Sequence, residues 1–243
     1  MSTYNQSKYL KASLDSIINQ TYKNWKLLII DDCSTDKTSD ILKNYVNYDN
    51  RISFTKNFFQ KGLTENLNNL IKQSKTQLIA RMDSDDISLS TRLEKQVEFL
   101  NLNSNISVVG SNAFCIDKND LHVFNSNFPL NDYDIKKELI YKNVFYHSSI
   151  MMRKSFLEEM NFYNTDFKKC QDYELWLRGI HTHQYANIGE NLIKYRVSKY
   201  NYLNDIYKIK ILKKCKNLNI FQKFASVFRT IIYIAYKRLF NEY

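Results

Sequence analysis

The most chemically loaded stretch of the chain is Asp83-Ser84-Asp85-Asp86, three carboxylates directly after the apolar run Leu78-Ile-Ala-Arg-Met82. Carboxylates two apart at the end of a strand can point the same way into solvent and share a ligand. Such hard oxygen donors suit Mg2+ or Mn2+, which takes one or two carboxylates and completes its shell with phosphate oxygens. Two phosphates leaving together carry charge that water or a single lysine screens poorly. Acids so placed therefore fit a site that handles a nucleoside diphosphate, Asp83 toward ribose and Asp85 toward metal. A plainer reading stays open, because Asp86 and Ser88 precede a helix and acids there cap it. A second acidic pair, Asp31-Asp32, closes the run Lys26-Leu-Leu-Ile-Ile.

The elements that must hold these acids alternate along the chain. Leu10, Leu14, Ile17 and Ile18 recur at helical spacing, with Ser7 as the expected N-cap. Residues 26–31 read as a buried parallel strand. Residues 34–36 cap a helix whose apolar face is Ile41, Leu42, Tyr45 and Val46. Residues 51–54 give a third strand element, Gly62 opens a helix bearing Leu63, Leu67, Leu70 and Ile71, and residues 78–82 give another strand. Residues 92–100, 134–141, 153–160 and 172–180 read as helices, 107–116 as a long strand, and Tyr195-Arg196 closes the body. Strand and helix alternating roughly every 20–30 residues indicate an α/β fold, a mostly parallel sheet flanked by helices. Such sheets bind ligands beyond the carboxyl ends of their strands, so both acidic groups should face one crevice.

The net charge of +10 is uneven. Residues 199–243 hold ten Lys/Arg and two acids, and the other 198 residues hold 25 Lys/Arg and 23 acids. The near-neutral body argues against nucleic acid as a partner, and the basic tail points to an anionic surface. This composition break divides the chain into a domain of residues 1–198 and a basic, amphipathic helical tail of 199–243. Residues 208–240 mix Phe, Ile, Tyr and Val with Lys and Arg, and Arg229 near the middle weighs against a membrane span. A peripheral membrane helix and a helix packed on the body both remain open. Cys33, Cys115, Cys170 and Cys215 form no CxxC pair and read as free thiols. The polar N-terminus has no signal-peptide core, so the expected location is the cytoplasm, peripherally on the inner face of the plasma membrane if the tail binds lipid.

Taken together and in order, Thr3-Tyr4-Asn5, residues 14–22, Leu28-Ile-Ile-Asp-Asp-Cys-Ser-Thr-Asp36, Ala80-Arg-Met-Asp-Ser-Asp-Asp-Ile-Ser-Leu89, Arg92-Leu-Glu-Lys-Gln96, Val108-Val-Gly-Ser111, His147-Ser148, Arg153-Lys154 and Asp172-Tyr-Glu-Leu-Trp-Leu-Arg178 resemble the inverting glycosyltransferases of family 2, of GT-A (Rossmann-like) fold. The resemblance spans about residues 2 to 197. It implies that Thr3, Tyr4 and Asp32 cradle the nucleobase and ribose and that Arg81 lies beside the nucleotide. Asp83 and Asp85 match the DxD positions, Asp85 being the better metal ligand for Mn2+ or Mg2+, and Asp172 matches the general base. It further implies a nucleotide-sugar donor, a UDP-sugar first among them, and a saccharide or lipid-linked acceptor in surface-polysaccharide synthesis.

Two departures carry expectations of their own. Gln171 stands where the family has Glu, which should lower the pKa of Asp172 by removing a like charge. The apolar strand that precedes Thr-Tyr-Asn in the family has no counterpart here. Either the true start lies upstream or the chain is a truncated, inactive homologue that binds nucleotide or a partner. A nucleotidyltransferase would need a Gly-rich phosphate loop that four glycines do not supply. His147 reads as a satisfied loop histidine, Trp176 as core, Asn68 as structural, His181 and His183 as unremarkable, and Lys61-Gly62 as a helix start able to approach phosphate.

Overall fold

The computed structural model describes residues 1–197 and 202–239, the side chains of 202–205 and 235–239 excepted. The expected boundary at 198/199, the side chains of Lys237 and Arg238, and the tail from residue 240 onward lie outside them.

The chain opens with β1 (Ser2–Thr3), α1 (Leu10–Ile18), β2 (Leu27–Asp31), α2 (Thr38–Tyr48), β3 (Ile52–Lys56), α3 (Leu63–Gln73) and β4 (Leu78–Ala80). β1, β2 and β3 form a parallel sheet with β2 in the middle. β2 is apolar up to its terminal Asp because helices cover it. Leu10, Leu14, Ile17 and Leu42 pack with Leu27, Ile29 and Ile52 in one core, and Leu67 and Ile71 of α3 belong to another. Ser7 does not cap α1. That helix starts after a turn, with Tyr9 at the N-cap making no side-chain bond, while the Ser7 N–H is held by Asp36 at 3.0 Å. Asp36 does support α2 as expected, accepting from the Thr38 N–H at 2.9 Å.

A second sheet follows, built from β5 (Ile87–Ser88), β6 (Ile106–Ile116), β7 (His122–Asn125), β8 (Met151–Arg153) and β9 (Gln184–Arg196), with α4 (Arg92–Leu102), α5 (Asp132–Leu139), α6 (Lys154–Glu159) and α7 (Gln171–Gly179) between them. Its order is β4-β8-β6-β9-β5, with β7 beside β6. The parallel character expected from the sequence holds in the first sheet and between β6 and β9; every other pairing is antiparallel. Gly110 in β6 is required by close packing, since a Cβ there would lie 2.2 Å from Asn187 Oδ1 and 2.7 Å from Phe145 Cδ1. Trp176, fully buried, stacks on Phe156 and meets Phe145 and Tyr185 edge-on in the main core.

β1 is two residues long and pairs with β2 at Ile30 and Asp31. Among the described residues β4 pairs with β8 alone, so the two sheets are not joined there.

The tail folds as α8 (Tyr202–Lys214) and α9 (Ile220–Leu239). Ile211, Leu212 and Leu218 enter the core that holds Trp176. Ser226 of α9 donates to the Ile140 carbonyl at 2.7 Å and Thr230 is buried, so one face of α9 sits on the body. Phe221, Phe224, Phe228, Ile231 and Ile232 remain exposed on the other. Among the described residues no helix is long and apolar enough to cross a membrane.

Candidate active site

The two acids ending β2 do different work. Asp31 is fully buried, accepts the Ser34 N–H at 2.9 Å and the Ser39 hydroxyl, and fixes the turn after the strand. Asp32 turns toward the cleft. Its Oδ1 accepts the Lys61 N–H at 2.9 Å and Asn57 Nδ2 at 2.7 Å, and its Oδ2 accepts the Gly62 N–H at 2.9 Å. Gly62 supplies this with φ +89°, a left-handed conformation that aims successive amides at one carboxylate. Burial by itself would raise the pKa of Asp32, but the Lys61 amide with Asn66 and Asn57 outweighs it and holds the carboxyl below its ordinary value. The Lys61-Gly62 amides are thereby engaged by Asp32, in keeping with a helix start that needs no ligand to explain its glycine.

At the end of β4, Asp83, Asp85 and Asp86 each offer a carboxylate oxygen, and these oxygens lie within 4.8 Å of one another. Asp83 is ion-paired with Arg81 and accepts the Ser148 hydroxyl at 2.8 Å. Asp86, 1% exposed, accepts the Arg196 N–H at 2.7 Å through Oδ1, while its Oδ2 is buried without a partner. Arg196 also donates to the Asp85 carbonyl at 2.9 Å and so pins the end of β9 to this loop. Asp86 thus anchors to β9 rather than capping a helix. Burial first, then the neighbouring Asp83, pushes the pKa of Asp85 up; Asp86 is raised by burial, Asp83 and Asp85. Three carboxylates held together against their own repulsion form a donor set that fits Mg2+ or Mn2+.

Both acidic loops face one cleft of about 340 Å³, which Thr3, Tyr4, Asp32, Asp83, Asp85 and Asp86 help to line. Thr3 Oγ1 is buried there without a hydrogen-bond partner, and Tyr4 stands at the rim, 44% exposed. Arg81 does not line this cleft. It lies beneath, 5% exposed, bridging Asp83 to Ser148.

Asp172 sits in the first turn of α7, half-buried, with Asn143 Nδ2 donating to its Oδ2 at 2.7 Å. Burial raises its pKa, opposed by the Tyr173 amide, Asn143 and Arg81. The lowering expected from Gln171 is relative to a Glu at that position; relative to a free carboxyl, loss of solvent sets the direction. Tyr195 links the two halves of the site. It lines the cleft, stacks on Tyr146 at 4.0 Å, and its hydroxyl feels the charges of Asp86, Asp83 and Asp172.

The residues read as structural are placed so. His147 Nε2 pairs with the Tyr163 hydroxyl at 2.7 Å, and burial followed by Arg81 drives its pKa well down, leaving it neutral. Asn68 exchanges two hydrogen bonds with the Tyr163 backbone, His181 meets the Asn217 carbonyl, and His183 meets Ser107. All four cysteines are free thiols. Sequence reasoning missed Asn143 and the place of Tyr195 in the cleft; no local pattern marks either.

The model of Glycosyl transferase family 2 matches residues 1–160. The O-antigen biosynthesis glycosyltransferase WbnJ of Escherichia coli is 35% identical over 204 residues, 81% of this chain and 78% of WbnJ. Among solved structures, S. aureus TarS 1-349 in complex with UDP-GlcNAc aligns with a TM-score of 0.72 at 16% identity, over 95% of this chain and 70% of that one. The mannosyltransferase PcManGT from Pyrobaculum calidifontis, in complex with GDP-Man and Mn2+, aligns at 0.68 and 14% identity over 98% and 73%. At such identities the structural likeness is one of fold, the GT-A type of α/β architecture.

Proposed function

This chain belongs to Glycosyl transferase family 2, and from that premise we propose that it moves a hexose from a nucleotide-sugar, a UDP-sugar first among donors, to a saccharide or lipid-linked saccharide acceptor with inversion, in surface-polysaccharide synthesis. The observation that carries this reading is the convergence of Asp32 with Asp83, Asp85 and Asp86 on one cleft at the carboxyl ends of β2 and β4. Thr3, Tyr4 and Asp32 receive the nucleoside, and the unpartnered Thr3 hydroxyl is free to bond it. Arg81 acts from below by holding Asp83. Asp83 meets the nucleotide on its ribose side, and Asp85 would hold Mn2+ or Mg2+. A divalent cation bound there offsets the charge that builds on the leaving diphosphate. Asp172 takes the proton of the acceptor hydroxyl as that oxygen attacks the anomeric carbon from the face opposite the diphosphate. Configuration is therefore inverted in one displacement.

Isothermal titration with UDP, with and without Mn2+, tests this reading against an Asp85→Ala control. Metal-dependent binding lost in the variant supports it. Absence of binding by folded protein overturns it. A second reading, nucleotide binding without turnover, draws on the separation of the two sheets; UDP binding with no transfer to any acceptor favours it.

The outer face of α9 fits a peripheral membrane contact on the cytoplasmic side. Phe221, Phe224, Phe228, Ile231 and Ile232 form an exposed apolar stripe, with exposed Lys213, Lys214, Lys216 and Arg229 to meet anionic headgroups. Such a contact would bring the site close to a lipid-linked saccharide acceptor.

A further inference from the structure

The carbonyl of Ile140, at the C-terminal end of α5, accepts hydrogen bonds from two other helices. Tyr173 Oη of α7 donates to it at 3.2 Å and to the Leu139 carbonyl at 2.8 Å, and Ser226 Oγ of α9 donates to it at 2.7 Å. The last carbonyls of a helix lack partners within it, and a carbonyl oxygen has two lone pairs, so this one ties three helices at a single point. Tyr173 is the residue next to Asp172. Beyond Ile140 on the other side, Asn143 donates to Asp172 Oδ2 at 2.7 Å. Residues 140–143 therefore form a strut, with α9 at one end and Asp172 at the other.

Ser226 is fully buried on the face by which α9 docks. A hydroxyl is costly to bury without a partner, so the bond to Ile140 is what makes a serine fit there. Arg229, on the next turn of α9, sets its guanidinium over the ring of Tyr141 at 5.3 Å, and Tyr141 is the next residue of the strut. Ile140 and Val227 both pack against the core that holds Trp176. The Tyr141 and Lys142 amides bond back to the Glu138 carbonyl of α5 at 2.8 and 3.0 Å, which fixes where the strut starts but not its direction toward α7. The tail grips α7 from its far end as well. Asn217, between α8 and α9, donates to the Leu177 and Arg178 carbonyls at 3.4 and 2.5 Å.

We propose that Ser226 and Arg229 are positioning residues for Asp172: through Ile140 and Tyr141 they hold the strut that aims the Asn143 amide at the Asp172 carboxylate. The inference rests on the reading of Asp172 as the base, and it makes α9 part of the framework of the site whatever its outer face meets.

The test follows the Asp172 carboxyl carbon by NMR through a pH titration of the full chain, the signal being assigned by its loss in Asp172→Asn. Neither donor nor acceptor is needed. Around this carboxyl the Tyr173 backbone amide, the Asn143 side chain and the Arg81 charge favour the ionised form, and the Tyr163 and Tyr195 hydroxyls interact with it. Ser226→Ala should move the midpoint upward, toward that of Asn143→Ala, and Arg229→Gln should move it the same way by less. In an Asn143→Ala background Ser226→Ala should add nothing, because the two act along one route. Phe224→Ser, on the outer face of α9, should leave the midpoint in place, which separates this route from a general loosening of the tail. If Ser226→Ala does not fold, Arg229→Gln with and without Asn143→Ala makes the same comparison. An unmoved midpoint in the tail variants, or equal shifts with and without Asn143, overturns the proposal. Failure of the base reading shows elsewhere: turnover retained by Asp172→Asn ends that reading while the coupling between α9 and Asp172 stands.

Discussion

Arg81, inside the protein beneath the acidic cleft, is ion-paired with Asp83, which reaches that cleft from the other side of the same loop. The pair converts a buried charge into a positioning device. Ser148 bonds both partners, so Asp83 is fixed in direction as well as in charge. Replacing Arg81 by Met removes one partner and leaves the other underneath a site that already carries Asp85 and Asp86. Breaking a buried pair costs about 3–5 kcal/mol, and the lower end applies because Asp83 keeps 30% of its side chain exposed. Arg81→Met should therefore melt earlier by urea or heat and bind UDP more weakly, whereas Arg81→Met with Asp83→Asn should recover stability without recovering binding. A double variant no more stable than the single one would sink the pairing argument.

The acidic triad makes a prediction of opposite sign for the metal-free protein. Asp85 and Asp86 have pKa values raised by burial and by their neighbours, so the folded state prefers them protonated. Between the ordinary value of 3.8 and the raised values, folded protein holds protons that the unfolded chain has released, and stability falls as pH rises through that window. Asp85→Asn removes one repelling charge. Its Tm without metal should rise, by about 2–4 °C for each kcal/mol relieved, and the rise should shrink toward acid pH. The same substitution should abolish the Mn2+-dependent part of UDP binding. A lower Tm without metal would contradict it.

Much of this site was legible because its acids announce themselves locally. Asp32, Asp83 and Asp85 each follow a short apolar run, and a strand end in an α/β fold is where ligands bind. Asp172 had no such signal of its own and came from resemblance. Asn143 could not be read at all, because its bond to Asp172 joins positions 29 apart. Ser7 failed as a cap because a turn over residues 7–9 precedes the helix, which puts Tyr9 at the N-cap. β9, 13 residues long, alternates irregularly because its pairing with β6 shifts register, so neither period marks it. β5 and β8 are too short to show a period.

The tail offers a prediction independent of chemistry. Phe224 and Phe228 stack in the exposed stripe of α9, away from the buried Ser226 and Thr230 that dock it. Phe224→Ser with Phe228→Ser should leave Tm unchanged and reduce co-sedimentation with vesicles containing anionic lipid. Ser226→Leu should do the reverse, loosening the tail while sparing the stripe. Indifference of the parent protein to anionic vesicles would remove the membrane reading and leave α9 as a packing element.

Asp172 yields the sharpest pH dependence. As the proposed base it must be ionised, and burial holds its pKa above the ordinary carboxylate value. Turnover should therefore rise with pH through that raised value and level off above it. Asp172→Asn should lower kcat by about 10²–10⁴ while UDP affinity stays as it was. Asn143 is the informative partner, because its amide donates to Oδ2 and favours the charged form. Taking it away in Asn143→Ala raises the pKa further, so the acid limb of kcat should move to higher pH with the plateau nearly preserved. A merely structural role for Asn143 would lower the plateau and leave the limb in place. The pH profile thus separates an asparagine that tunes the base from one that only packs beside it.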